Sequence, residues 1–332
     1  MKYSFYSALI VGIASLQAKD VPYAITYELN GGRLGDNIQS FSQAFWLSYM
    51  HDIPLLFQPF EYSNQLKAHY MYPHYTKTHD AHYKQKISVK GDTKRLPSLP
   101  KDSCLYVSKF EEFPGMDWHN EGFITALCEV IRPVKEFSFE PLPCDMHTIA
   151  MHVRRGGGFW IDDDRCRKIS PRHFPNLDYY ANALNTFLNM LDGPCYVFLF
   201  TDDPEPAKLS AEIMAKILPE ERERITIDFR RTSNRHDTNV LEDFFNIMRF
   251  TYLIRARSGF SLFAERLGNC RVSIEPTKTS RGNPWGNVHE VCFTFYTDRT
   301  IQHGSIATKQ LPIEKLRQKD ICKAELASYF ID

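Results

Sequence analysis

Two rhythms alternate along this chain. Short apolar runs read as buried strands, and stretches with an apolar residue every three or four positions read as amphipathic helices. The first run, residues 23–29, leads straight into Asn30-Gly31-Gly32-Arg33-Leu34-Gly35-Asp36-Asn37, after which Ile38, Phe41, Ala44, Phe45 and Ser48 keep helical spacing. Another short run follows at 53–57. Strand, glycine-rich turn, helix and strand in that order predict a parallel sheet. Further strands are expected at 105–108, 149–153, 196–200, 225–229, 252–256 and 271–274. Helices are expected at 123–131, around Tyr180–Leu184–Phe187–Leu191, at 206–217, through Leu241, Phe244, Phe245 and Met248, and at 260–267. The segment 61–100 breaks the rhythm. It is rich in His, Tyr and Lys, and it reads as an irregular insertion or lid with one short helix.

Length and composition narrow this picture. At about 100–200 residues per domain, 332 residues imply two domains. Glu140-Pro141-Leu142-Pro143 reads as a linker between an N-terminal Rossmann-like domain (21–143) and a second such domain (146–300), with a tail or helix at 301–332. The expected class is α/β, with two Rossmann-like domains facing across a cleft. Aromatic residues make up 14%, which suits a large packed core or a ring-lined cleft. The 40 Lys+Arg equal the 40 Asp+Glu, so a polyanion-coating protein is disfavoured and no nucleic-acid partner is expected.

The first residues carry one lysine, an apolar run at 8–16 and small residues near Ala18. That is the layout of a secretory signal over 1–18, and the run is short for a membrane span. The expected location is the secretory pathway or beyond it, with the cytoplasm as the alternative. None of the 8 cysteines forms a C-x-x-C pair, so a zinc ribbon is unsupported.

Four local patterns carry chemistry. His152-Val153-Arg154-Arg155-Gly156-Gly157-Gly158 ends an expected strand, where ligands bind in open α/β sheets. Paired guanidinium forks with glycines beside them suit a diphosphate. Thr201-Asp202-Asp203-Pro204 ends another strand. Its acids can accept from ribose hydroxyls or a base, bind a metal, or cap the next helix. Ser258-Gly259-Phe260-Ser261 precedes a helix, where hydroxyls and free N–H groups make an anion site. The N-terminal Gly31–Asn37 stretch fits neither G-x-G-x-x-G nor a Walker loop, which disfavours a dinucleotide oxidoreductase. Between His152 and Arg172, six basic residues face three acidic ones, a local +3 suited to a small diphosphate.

In this order the patterns resemble the GDP-fucose-dependent fucosyltransferase superfamily, which includes α-1,2-, α-1,6- and protein O-fucosyltransferases. Gly32-Arg33-Leu34-Gly35 resembles its G-R-[LF]-G-N motif, His152-Val153-Arg154-Arg155 its H-x-R-R, and Thr201–Pro204 its T/S-D-D-P. Asp243 followed by Ser258-Gly259-Phe260-Ser261 resembles its last motif. Two departures stand out: Asp36 replaces the Asn, and three glycines follow the arginines.

The resemblance implies a GT-B-like fold. It also implies inverting transfer of fucose or a related sugar from a GDP-sugar to a glycan or protein hydroxyl, with no metal and no cofactor beyond the donor. Arg155, assisted by Arg154, would meet the β-phosphate, and His152 the nucleoside side. Ser261 would hydrogen-bond phosphate, with Ser258 beside it. Asp202 and Asp243 would serve the ribose or base, and Arg33, Gly35 and Asn37 would face the donor from the other domain. A carboxylate at the spacing of Asp162 from His152 makes Asp162 the expected base. Two other classes stay open: a metal-dependent transferase or hydrolase using Asp162–Asp164 or Asp202 and Asp203, and a non-catalytic nucleotide- or glycan-binding protein on the same fold.

Overall fold

The computed structural model describes residues 22–89, 102–110, 115–118, 120–155, 170–231, 234–268, 270–279, 288–297 and 300–307, the last stretches from 277 onward by backbone alone. The chain divides into two compact units, Met1–Ser138 and Phe139–Asp332.

The first unit runs β1 (Tyr23–Tyr27), α1 (Leu34–His51), α2 (Ala68–Met71), α3 (Lys77–His82), β2 (Gln85–Val89), β3 (Cys104–Ser108) and α4 (Glu121–Ile131). Its sheet is parallel, in the order β1-β3-β2. The segment expected as an irregular insertion therefore supplies an edge strand, β2. The pattern hid it because most of Gln85–Val89 faces outward, with Val89 alone buried. Conversely, 53–57 is buried but forms no ladder. Leu55 bridges Ile25, and then Phe57 turns away to pair with His74. Pro54 has no N–H to extend a ladder along β1.

Most of the aromatic excess goes into the core. Tyr27 lies edge-on to Phe41 and Phe57, Phe41 stacks on Phe45 at 5.7 Å, and Trp46 meets Phe123 edge-on at 4.8 Å. These contacts hold α1 on the sheet and α4 on α1. The start of α4 is fixed by Asn120, whose side chain accepts from the Phe123 N–H.

The second unit runs β4 (His147–Val153), α5 (Leu177–Met190), β5 (Cys195–Thr201), α6 (Pro206–Ala215), β6 (Ile225–Phe229), α7 (Val240–Ile247), β7 (Tyr252–Arg255), α8 (Gly259–Leu267), β8 (Val272–Thr279), β9 (Val288–Thr297) and β10 (Thr300–Ala307). The sheet order is β10-β9-β8-β7-β4-β5-β6. Strands β8, β7, β4, β5 and β6 are parallel, and β9 and β10 extend the sheet antiparallel. The residues from 301 that were expected as a tail or helix thus begin with a strand. The parallel strands are short and apolar because they are covered on both faces. Ile149, Met151, Val197 and Leu199 pack with Tyr180, Leu184 and Phe187 of α5 and Ile213 of α6.

One charged cluster sits inside this core. Arg255, 2% exposed, donates from Nε to Glu265 of α8 at 2.5 Å and pairs through Nη1 with Glu275 of β8 at 2.8 Å. The Tyr179 hydroxyl lies within hydrogen-bond distance of the Arg255 and Ile274 carbonyls, so α5, β7 and β8 share one polar knot. Gly268, just past α8, is pressed against the end of α7. A Cβ there would lie 2.5 Å from the Met248 carbonyl oxygen.

Removing one partner from a buried pair strands the other charge. Glu265→Ala should cost about 3 kcal/mol in urea unfolding. Arg255→Met combined with Glu265→Leu should cost clearly less. A loss below about 1 kcal/mol for the single variant would show that the pair is not needed for stability.

Candidate active site at the carboxyl end of the second sheet

Strand β4 has β5 on one side and β7 on the other. The chain reaches β5 and β6 first and returns to β7 only afterwards, so β4 and β7 flank the point where strand order reverses. In such sheets the crevice at the carboxyl ends of those strands is the usual ligand position. Three of the four sequence patterns end there: His152–Arg155 leaves β4, Thr201–Pro204 leaves β5, and Ser258–Ser261 links β7 to α8.

Direct contacts tie these segments together. The His152 ring lies 5.5 Å from the Phe260 ring, and Phe260 in turn meets Phe244 of α7 edge-on at 5.6 Å. The Arg155 backbone N–H donates to Asp202 Oδ1 at 2.6 Å, and its Nε donates to Asp203 Oδ2 at 3.0 Å. The Arg154 guanidinium rests 4.9 Å over the Phe174 ring, a cation–π contact. The two neighbouring arginines are thus held by different chemistry, one by carboxylates and one by a ring.

Asp203 does not cap α6. The N-cap position is Glu205, which makes no side-chain cap bond. Asp203 instead shapes the turn before the helix. Its N–H donates to Thr201 Oγ1 at 3.1 Å, and its Oδ1 accepts from the Glu205 N–H at 2.8 Å.

At the start of α8, Ser258 is extended and its side chain makes no cap bond. Ser261, in the first turn, is fully buried, and among the described residues its Oγ has no hydrogen-bond partner. A buried hydroxyl left unsatisfied costs about 1–3 kcal/mol. Here it sits where helix N–H groups and the helix dipole favour an anion.

Asp243 lies on α7 and is engaged inside the protein. Arg230, just after β6, donates from Nη2 to Asp243 at 2.6 Å and reaches Glu242 at 3.3 Å. Burial pushes the Asp243 carboxyl up to about 6, against the pull of Arg230 and with the help of Glu242.

The first-unit motif forms the entry to α1. Gly31 takes a left-handed conformation (φ 78), and the Gly32 N–H donates to the Asn30 side chain at 2.8 Å. Arg33 occupies the N-cap position, while Gly35 and Asn37 are buried in the first turns. The departure at Asp36 has a local explanation. Its carboxylate folds back over Gly32, where a Cβ would lie 2.1 Å from Oδ2, and an acid in the first helical turn complements the dipole.

Sequence reasoning missed Phe174 and the Arg255–Glu265 pair that seats α8. Asp162, its neighbours Asp163 and Asp164, and Gly156–Gly158 lie outside the described residues. Among the described residues no group of three or more His, Cys, Asp or Glu side chains is placed to hold a metal ion, and no helix is long and apolar enough to cross a membrane. Cys104, Cys144, Cys195 and Cys270 carry free thiols.

No protein-family profile matches the chain, and no curated protein matches it at a significant level. Solved structures of fucosyltransferases are similar to it. A mutant of Arabidopsis thaliana FUT1 in complex with GDP is 12% identical, over 90% of this chain and 77% of that one, with a TM-score of 0.48. The fucosyltransferase NodZ from Bradyrhizobium is 15% identical over 79% and 97%, with a TM-score of 0.40. POFUT1 in complex with GDP-fucose is 11% identical over 77% and 97%, with a TM-score of 0.43.

The Asp243 carboxyl gives a pH signature. Its folded value, about 6, lies above the ordinary 3.8, so the folded state takes up the proton first as pH falls. Stability from this group should be fully present below about pH 4 and lost as pH rises through 6, a swing of up to about 3 kcal/mol. Urea unfolding should therefore show a lower stability at pH 4.5, relative to pH 7.5, in Asp243→Asn than in the parent. Equal pH slopes in the two proteins would rule this out.

Proposed function

We propose that this protein is an inverting glycosyltransferase that takes a sugar from a nucleotide diphosphate. Fucose from GDP-fucose is the donor that the motif resemblance favours, and a glycan or protein hydroxyl is the acceptor. The observation that carries the reading is the meeting of two anion-seeking features at the switch point. The arginine pair leaves β4, and the first turn of α8 holds a fully buried, unpartnered Ser261 hydroxyl. The His152–Phe260 ring contact brings the two together.

In this reading the diphosphate lies between the arginines and the start of α8. Ser261 donates to a phosphate oxygen, which satisfies its orphan hydroxyl. In the transfer, the acceptor oxygen attacks the anomeric carbon from the face opposite the diphosphate. The bond from that carbon to the β-phosphate oxygen breaks, and the electron pair leaves with the nucleoside diphosphate. Arg155 and Arg154 stabilise the charge that grows on this oxygen, so the site's own cations do the work a metal does elsewhere. The acceptor proton passes to a carboxylate, for which Asp162 is the candidate. His152 and the Phe260–Phe244 pair would border the nucleoside.

The site itself is tested by thermal shift with GDP, UDP, GDP-fucose and GDP-mannose. A ligand at 100 times its Kd adds about 2.7 kcal/mol, which moves a melting point by several degrees. GDP and GDP-fucose should do so and UDP should not. Arg155→Ala should abolish the response while the ligand-free melting point falls by only a few degrees. No response of the parent protein to any guanine nucleotide would overturn the reading, and loss of the fold in Arg155→Ala would make that arginine structural.

A further inference from the structure

We propose that Asp203 is the positioning residue for Arg155: it sets the guanidinium in place before any ligand arrives. This rests on the reading of Arg155 as a diphosphate ligand. The geometry has three parts. Asp203 is itself fixed, because its N–H is held by Thr201 Oγ1 at 3.1 Å and its Oδ1 by the Glu205 N–H at 2.8 Å. Its second oxygen, Oδ2, takes the Arg155 Nε at 3.0 Å. The backbone of Arg155 is pinned separately, through its N–H to Asp202 Oδ1 at 2.6 Å. Both ends of residue 155 are therefore referenced to the exit of β5, although the residue itself belongs to the exit of β4.

This arrangement differs from a surface ion pair. The side chains of Arg155 and Asp203 are only 22% and 15% exposed. A free arginine side chain carries about 2 kcal/mol of rotamer entropy. Holding it through Nε removes part of that cost in advance, which is what preorganisation means for binding. The contact also spends only one of the five guanidinium donors, so the fork that recognises phosphate is not consumed. Asp203 touches neither sugar nor phosphate in this scheme and acts through Arg155.

The two jobs of the Asp203 carboxylate can be separated by substitution. Asn and Ser each keep one oxygen that can accept from the Glu205 N–H and close the same turn, but neither then offers an acceptor to the Arg155 Nε–H: Asn turns an NH2 group toward it, and Ser is too short to reach it. The experiment is calorimetric titration of GDP into the parent, Asp203→Asn and Asp203→Ser, with the ligand-free melting point of each. Both variants should bind GDP about tenfold or more weakly, about 1.4 kcal/mol. Both should melt within a few degrees of the parent, because the turn survives in each. A merely structural aspartate would lower the melting points and leave the affinity of the folded protein unchanged. GDP affinity equal to the parent's in either variant overturns the proposal. If the parent itself binds no GDP at millimolar concentration, the diphosphate reading falls, and this inference falls with it.

Discussion

A parallel sheet sends every strand's carboxyl end to the same edge, and the rest of this structure follows from where β4 sits within it. Because β4 lies between β5 and β7, segments about fifty residues apart along the chain arrive side by side at one end of the second unit. Neither the arginines after β4, the aspartates after β5 nor the serines after β7 would amount to a site alone. Hydrogen bonding between the strands does the assembling, and the loops only have to be short enough to stay where the strands put them.

That assembly needs α8 to start at a fixed point, and the means is costly in itself. An arginine and a glutamate are buried under the helix, where the core would accept apolar residues more readily. In exchange they set direction. An arginine on β7 joined to glutamates on both α8 and β8 tolerates little rotation of the helix, whereas an apolar contact would tolerate more. The unsatisfied Ser261 hydroxyl lies at the other end of the same helix. Arg255 is fully paired, while the Ser261 hydroxyl has no hydrogen-bond partner among the described residues.

Much of this was legible in the sequence, for identifiable reasons. Strands β4 and β5 are buried on both faces, so they read as unbroken apolar runs, and α5 shows its buried face at regular spacing. The patterns at Arg154–Arg155 and Ser258–Ser261 stood out because charged or hydroxyl residues followed those runs directly. Strand β2 was illegible because its side chains mostly face outward, and 53–57 misled because burial without a ladder looks the same in one dimension. The Arg255–Glu265 pair spans ten positions and two elements, so no local period announces it. Phe174 is a single ring between short polar stretches, and its value depends wholly on Arg154 lying above it. Sequence also said nothing of the order of strands, which is what turns separate motifs into neighbours.

Gly268 has a mechanical consequence. Most helix pairs touch through side chains, which can change rotamer and let one helix slip over the other. Where α8 ends, the missing Cβ allows main chain to rest on main chain at Met248, and main chain has no rotamers to change. Any side chain at position 268 would have to push the two helix ends apart, so this one position ties the placement of α8 to that of α7.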